Sequence, residues 1–241
     1  MKPNERAWGW TAIATAVVLG LSGYAIFFIA PREITMGQIQ RIFYFHAASG
    51  MVAYLAFFIS FLACIGYLAS RQAEWDWMAV ATAEVGLAFN TVVLITGPIW
   101  AKPVWGIWWT WDARLTLEFV LQLLYIAYIL LRVMVGEPER RAVISAVFGI
   151  FAFLDVPLSY FSIRWWRTEH PQPVIGGGPG SGLNPTMWQV FLFSGIGLLA
   201  LMAIMSRERY RLELLRHEFA ELAAAEEDEE PAPAEAKGAS R

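Results

Sequence analysis

One cysteine, three histidines and a charged fraction of only 16% in 241 residues set the first limits on this chain. Cys64 stands alone inside a long apolar run, so no intrachain disulfide or dithiol redox pair can form, and the thiol reads as packing. No Ser/His/Asp or Cys/His arrangement is evident, which removes the ordinary forms of nucleophilic catalysis. No glycine-rich phosphate loop follows a strand pattern, so the chain hydrolyses no ATP by itself and is not read as an enzyme. A tetrahedral zinc site would need ligands beyond the scattered Glu33, Asp112 and Glu169. Internal repeats and a second-domain boundary are also missing. The net charge of −3 says little about partners, because the acid is concentrated in Glu226-Glu-Asp-Glu-Glu230 within an Ala/Pro-rich tail.

What is abundant is apolar surface: 57% hydrophobic residues, 15% aromatics and a mean hydropathy of +0.46. Such a chain is read as polytopic, with six runs near the roughly 20 residues that cross a hydrocarbon core. They cover about Trp8 to Ala30, Ala48 to Ala69, Met78 to Trp100, Leu115 to Leu131, Val143 to Ile163 and Met187 to Met205. Helices are the spanning option for such runs. The first follows Lys2 and Arg6 like a signal peptide, but it is long for one and Pro31 follows the small-residue cleavage candidate Ala30, so it is read as an uncleaved anchor.

Lys and Arg flank the runs unequally. Ten lie on one side (Lys2, Arg6, Arg71, Arg132, Arg140, Arg141, Arg207, Arg209, Arg211, Arg216) and six on the other (Arg32, Arg41, Lys102, Arg114, Arg164, Arg167). The positive-inside rule then predicts both termini in the cytoplasm. The expected architecture is all-α: a six-helix transmembrane domain over 1–206, a cytoplasmic amphipathic helix over 207–225 and an acidic disordered tail over 226–241. His217, on the amphipathic helix, reads as a solvated side chain. The outer connections are the longer ones, and Gly176-Gly-Gly-Pro-Gly-Ser-Gly182 within the last reads as a linker in preference to a lid.

Between the third and fourth runs lies Trp105-Gly-Ile-Trp-Trp-Thr-Trp-Asp-Ala-Arg-Leu-Thr116. Tryptophans collect at any bilayer interface, yet a generic belt should serve both faces. Eight of the twelve fall on the side expected to be outer, which points to a built surface for a large flat ligand. His46 and His170 fall on that side too, near the ends of spans two and five. Two neutral imidazoles suit the axial positions of a haem iron, with indoles against the porphyrin. Arg41, Lys102, Arg114, Arg164 and Arg167 are the candidate cations for its propionates. Inside the spans, Glu84, Asn90, Glu118, Gln122 and Asp155 are costly and therefore informative. Glu118 and Gln122, four apart, share a helix face that should look into the bundle, and Asp155 is the deepest of the five.

The segment Thr96-Gly-Pro-Ile-Trp-Ala-Lys-Pro-Val-Trp-Gly-Ile-Trp-Trp-Thr-Trp-Asp-Ala-Arg-Leu-Thr116 closely resembles the WWD signature of haem-handling proteins in cytochrome c biogenesis. Length, six spans and one histidine on either side of the motif are similar to the CcmC family, the haem exporter protein C family, over about Trp8 to Arg209. Arg41-Ile-Phe-Tyr-Phe-His46 and Trp165-Trp-Arg-Thr-Glu-His170 match their counterparts. The resemblance implies haem b held by His46 and His170, with Trp105, Trp108, Trp109, Trp111 and Asp112 as the platform. It further implies delivery to the periplasmic chaperone CcmE, and an ABC-type complex with CcmA, CcmB and CcmD, in a bacterial inner membrane. Ala47 departs from the usual Val-Pro beginning after the histidine, and the acidic tail is outside the pattern; neither removes a ligand.

Three alternatives stand beside this reading. A b-type membrane cytochrome would bury haem between helices on histidines well inside spans, and none of the six runs contains one. The larger haem lyase of the WWD family carries more spans and further intramembrane histidines. A structural subunit without ligand leaves the paired histidines unexplained.

Overall fold

In hydrocarbon every backbone N–H and C=O must be satisfied within its own segment, and the apolar runs meet that demand as helices. The computed structural model describes residues 3–173, 175 and 182–229. In chain order the helices are α1 (Pro3–Tyr24), α2 (Ile42–Ser70), α3 (Ala73–Trp105), α4 (Ala113–Met134), α5 (Pro138–Phe153), α6 (Asp155–Trp165) and α7 (Pro185–Glu229). A π-helical turn, Ala25–Ile29, extends α1, and a 3₁₀ turn, Gln38–Arg41, leads into α2. With α5 and α6 taken as one span, six helical segments are long and apolar enough to cross a membrane, which makes this an all-α polytopic membrane protein.

Two boundaries differ from the expected runs. The fifth span is broken at Leu154, between α5 and α6. Pro157 is the cause: it has no N–H, and its ring collides with the carbonyl four residues earlier, that of Phe153, where α5 ends. The stretch expected as an amphipathic helix, 207–225, is helical and continues the sixth span without interruption. α7 runs through it, helped by the pairs Arg209–Glu213 at 2.6 Å and Arg216–Glu213 at 2.8 Å. The helix reaches Glu229, so the first residues of the expected tail are helical; residues 230–241 and most of the Gly176–Gly182 segment lie outside the described residues.

α2 is the central helix, packing most extensively on α3 and also on α5 and α7, while α1 lies along α7. Small residues let α2 and α3 approach closely. Ala53, Ala56 and Ala83 are fully buried between them, and a Cβ on Gly86 would stand 2.6 Å from the Phe57 ring. Phe57 stacks on Tyr125 of α4 at 3.7 Å between centroids.

Several polar side chains of the spans face inward and pair with one another. Asn90 donates to Gln122, and Gln122 donates to Thr91, both at 2.9 Å, tying α3 to α4. Arg132 grips Asp76 with two bonds of 2.5 and 2.8 Å in the buried interior. Glu84 accepts from Arg209 of α7, one of the two bonds measuring 2.8 Å. Glu118 and Asp155 are likewise buried.

Candidate functional site

One end of the bundle gathers the start of α2, the end of α3, the start of α4, the end of α6 and the start of α7. Before α2 the chain makes a hook. Pro31 cannot continue α1, and Ala30 before it is extended (ψ 125°). The hook turns at Gly37, whose φ of +60° suits glycine, and closes with the Gly37 N–H on the Glu33 carbonyl at 3.0 Å. The Glu33 carboxylate accepts the N–H groups of Thr35 and Met36.

His46 lies on α2 itself, barely more than one turn from its start. The expectation that no span carries a histidine therefore fails here: residues 38–47 extend the helical span before the apolar run that the sequence marks. The Nδ1 of His46 is 3.0 Å from the Thr96 hydroxyl, which itself donates to the Val92 carbonyl at 2.7 Å. With its one hydrogen so committed, the hydroxyl accepts from Nδ1–H, and the lone pair of His46 resides on Nε2. His170 follows α6 on an irregular stretch in which its N–H bonds the Thr168 hydroxyl at 3.1 Å. Its Nδ1 is 2.8 Å from the Pro171 carbonyl, an obligate acceptor, so here too Nε2 carries the lone pair. Burial, and then the charge of Arg114, hold the His170 pKa down at about 4 against the Pro171 carbonyl and Asp112. The ring is neutral at pH 7 and able to coordinate a metal.

The two rings face one another at 6.2 Å between centroids, with planes 37° apart. A metal–imidazole bond of about 2 Å on each side, plus roughly 1 Å from nitrogen to ring centre, separates two trans ligands by about 6 Å. The 6.2 Å spacing is compatible with two imidazoles sharing one metal. Among the described residues no group of three or more His, Cys, Asp or Glu could hold a metal ion.

Two cavities, of about 150 and 730 Å³, are both bordered by His46, His170, Met36, Trp100 and Arg114. Trp105 and Trp109 line the smaller. Trp100 sets its edge against His46 at 5.6 Å, and the indole N–H groups of Trp100 and Trp109 are buried without a partner among the described residues. Trp108 and Trp111 line neither cavity and are 58% and 73% exposed. Asp112 also lines neither. It caps α4, accepting from the Leu115 N–H at 3.1 Å and the Thr110 hydroxyl at 2.7 Å. Burial raises its pKa, but these bonds, with those from Thr168 and the Arg114 N–H, outweigh that and lower it.

Of the expected cations, Arg114 alone borders these two cavities, and its charge is answered by Glu118 at 3.2 Å. Its Nη1 also donates to Tyr54 and Ser159, each at 2.7 Å. Arg41 lies over Phe27, Lys102 donates to the Gly106 carbonyl and Arg164 lies over Phe161. Met36, Thr96 and Tyr54 are site residues that sequence reasoning missed, while Trp100 and Arg32 were placed on the outer side without being assigned to the site. Thr96 and Trp100 had a signal, being four apart on one helix face within the tryptophan segment; Met36 and Tyr54 had none.

These features define a polytopic α-helical membrane protein with a two-imidazole, tryptophan-walled pocket at one end of its bundle. Residues 1–225 match the family model described as Heme exporter protein C. Curated relatives of that name are 30% identical in Bradyrhizobium diazoefficiens, over 88% of this chain and 81% of the relative, and 29% identical in Escherichia coli, over 84% and 81%. A putative cytochrome c biosynthesis ccmC-like mitochondrial protein of Marchantia polymorpha is 27% identical over 67% of this chain and 65% of its own. The chain belongs to the haem exporter protein C family, CcmC.

Proposed function

We propose that this chain holds haem b as cargo at the outer face of a bacterial cytoplasmic membrane and delivers it to the haem chaperone CcmE for c-type cytochrome maturation. The observation that carries the reading is the His46–His170 pair: centroids 6.2 Å apart, both Nδ1 atoms engaged and both Nε2 atoms left for a metal. Family membership supports haem as the cargo. In this reading His46 and His170 are the axial ligands. Trp100, Trp105 and Trp109 wall the porphyrin, and Asp112 positions the tryptophan segment. Trp108 and Trp111 present the exposed rim where an acceptor docks. Both termini lie in the cytoplasm, where residues 207–225 face CcmA, CcmB and CcmD; the chain is a carrier subunit and not a catalyst.

The test is the visible spectrum of purified protein, wild type beside His46→Ala and His170→Ala, with haem quantified. A low-spin six-coordinate spectrum that each substitution converts or abolishes is expected; an unchanged spectrum in both variants refutes the site. The placement of His46 on a span favours one other reading, a membrane cytochrome that keeps its haem. Transfer of haem to added CcmE separates the two.

A further inference from the structure

The larger cavity carries a cation that was not among the expected propionate partners. Among the described residues its two cationic side chains are Arg114 and Arg32. Arg32 belongs to the hook before α2, and its guanidinium lies against Gly37: a Cβ there would stand 3.4 Å from both Nε and Nη2. The neighbouring carboxylate, Glu33, is the obvious partner, yet it is turned to the backbone N–H groups of Thr35 and Met36. Arg32 is solvent-exposed and makes no ion pair or hydrogen bond among the described residues, so its hydrated planar fork is available to a cavity that both histidines border. Arg114 differs: it meets Glu118, Tyr54 and Ser159, all through Nη1.

A guanidinium fork at a cavity wall matches a carboxylate in two parallel hydrogen bonds. We propose that Arg32 binds a carboxylate of the cargo in the larger cavity and so fixes which edge of the porphyrin faces the hook and which faces the tryptophans. The assignment rests on the haem-carrying reading and names its carboxylate subsite. Arg32 is a positioning residue, whose contribution is to affinity and orientation and not to metal ligation.

The experiment titrates the full-length protein in detergent with haemin and with haemin dimethyl ester, in wild type, Arg32→Gln and Arg32→Lys. Arg32→Gln should weaken haemin binding about tenfold, the scale of one hydrogen bond to a charged group, and leave the diester and the low-spin spectrum unchanged. Arg32→Lys, which keeps the charge and loses the fork, should fall between. Equal weakening for both porphyrins assigns Arg32 to holding the hook and overturns the proposal, as does no weakening of either. A wild type that binds neither porphyrin in low-spin form defeats the carrier reading itself, and the subsite with it; intact low-spin haem with an indifferent Arg32 defeats only the subsite.

Discussion

Replacing Thr96 with valine removes one hydroxyl and little volume, and it separates the two roles that the site combines. The Thr96 hydroxyl is the partner of His46 Nδ1 at 3.0 Å, fixing both the tautomer and the ring orientation. As a contact between α2 and α3 it is small, because polar bonds between membrane helices contribute about 0.6 kcal/mol on average. As the outer partner of a metal ligand it is larger, since loss of such a group typically lowers metal affinity by about 10–100-fold, or roughly 1.4–2.7 kcal/mol. Thr96→Val should therefore unfold within a degree or two of wild type, yet require at least about tenfold more haem in a Soret titration and show partial high-spin character. Thr96→Ser, which restores the hydroxyl, should recover most of the affinity. A valine variant that titrates within twofold of wild type, fully low-spin, refutes the role given to Thr96 and with it the argument that Nε2 of His46 is the ligating atom.

Other consequences concern the frame. Asp76→Ala strands Arg132 in a nearly dry interior, where the side chains are 10% and 8% exposed, and should cost about 3–5 kcal/mol in thermal unfolding; Asp76→Leu with Arg132→Met should recover much of it. Gly149→Ala would put a Cβ 2.7 Å from Cys64 Sγ and 3.2 Å from the Tyr128 ring, so it should lower the unfolding temperature, and Cys64→Ala should rescue it in the double variant. Asp112→Ala should cost about 1 kcal/mol and speed hydrogen exchange in the first turn of α4, while Asp112→Asn, which still caps, should not. Because the folded carboxyl titrates below its ordinary value of 3.8, the cap is fully charged at neutral pH and above that value, and is lost only as pH falls below it.

Legibility followed the range of the forces involved. Hydrophobic runs marked all six spans, since crossing a bilayer is a local demand on about 20 consecutive residues. The inward face of Glu118 and Gln122 was readable from their spacing. Pro157 announced the break at Leu154, but a run counted by hydropathy passes over it. The tryptophans were readable as a group and not individually. After Gly106, at φ +79°, the chain leaves helical geometry, and no periodicity tells that Trp109 turns to the cavity while Trp111 turns outward. Arg114 could be singled out as a cation, and Glu118 four residues on was its visible partner. Arg32 was legible as an outer cation but not as part of a cavity wall, and Met36 carried no signal, because their place depends on a hook folding back over the bundle through one turn at Gly37.

α7 has a mechanical meaning. Its 45 residues rise about 67 Å as one rod, with Met187 in the wall of the larger cavity and Arg209 held to α3 through Glu84. The 22 residues between those points span about 33 Å, so a pivot of about 5° at the Glu84–Arg209 clamp displaces the cavity wall by roughly 3 Å. The opposite end of the same rod carries Leu212, Leu215 and Phe219 in the open. Whatever grips that end therefore holds the same continuous helix that walls the cavity beside the two imidazoles.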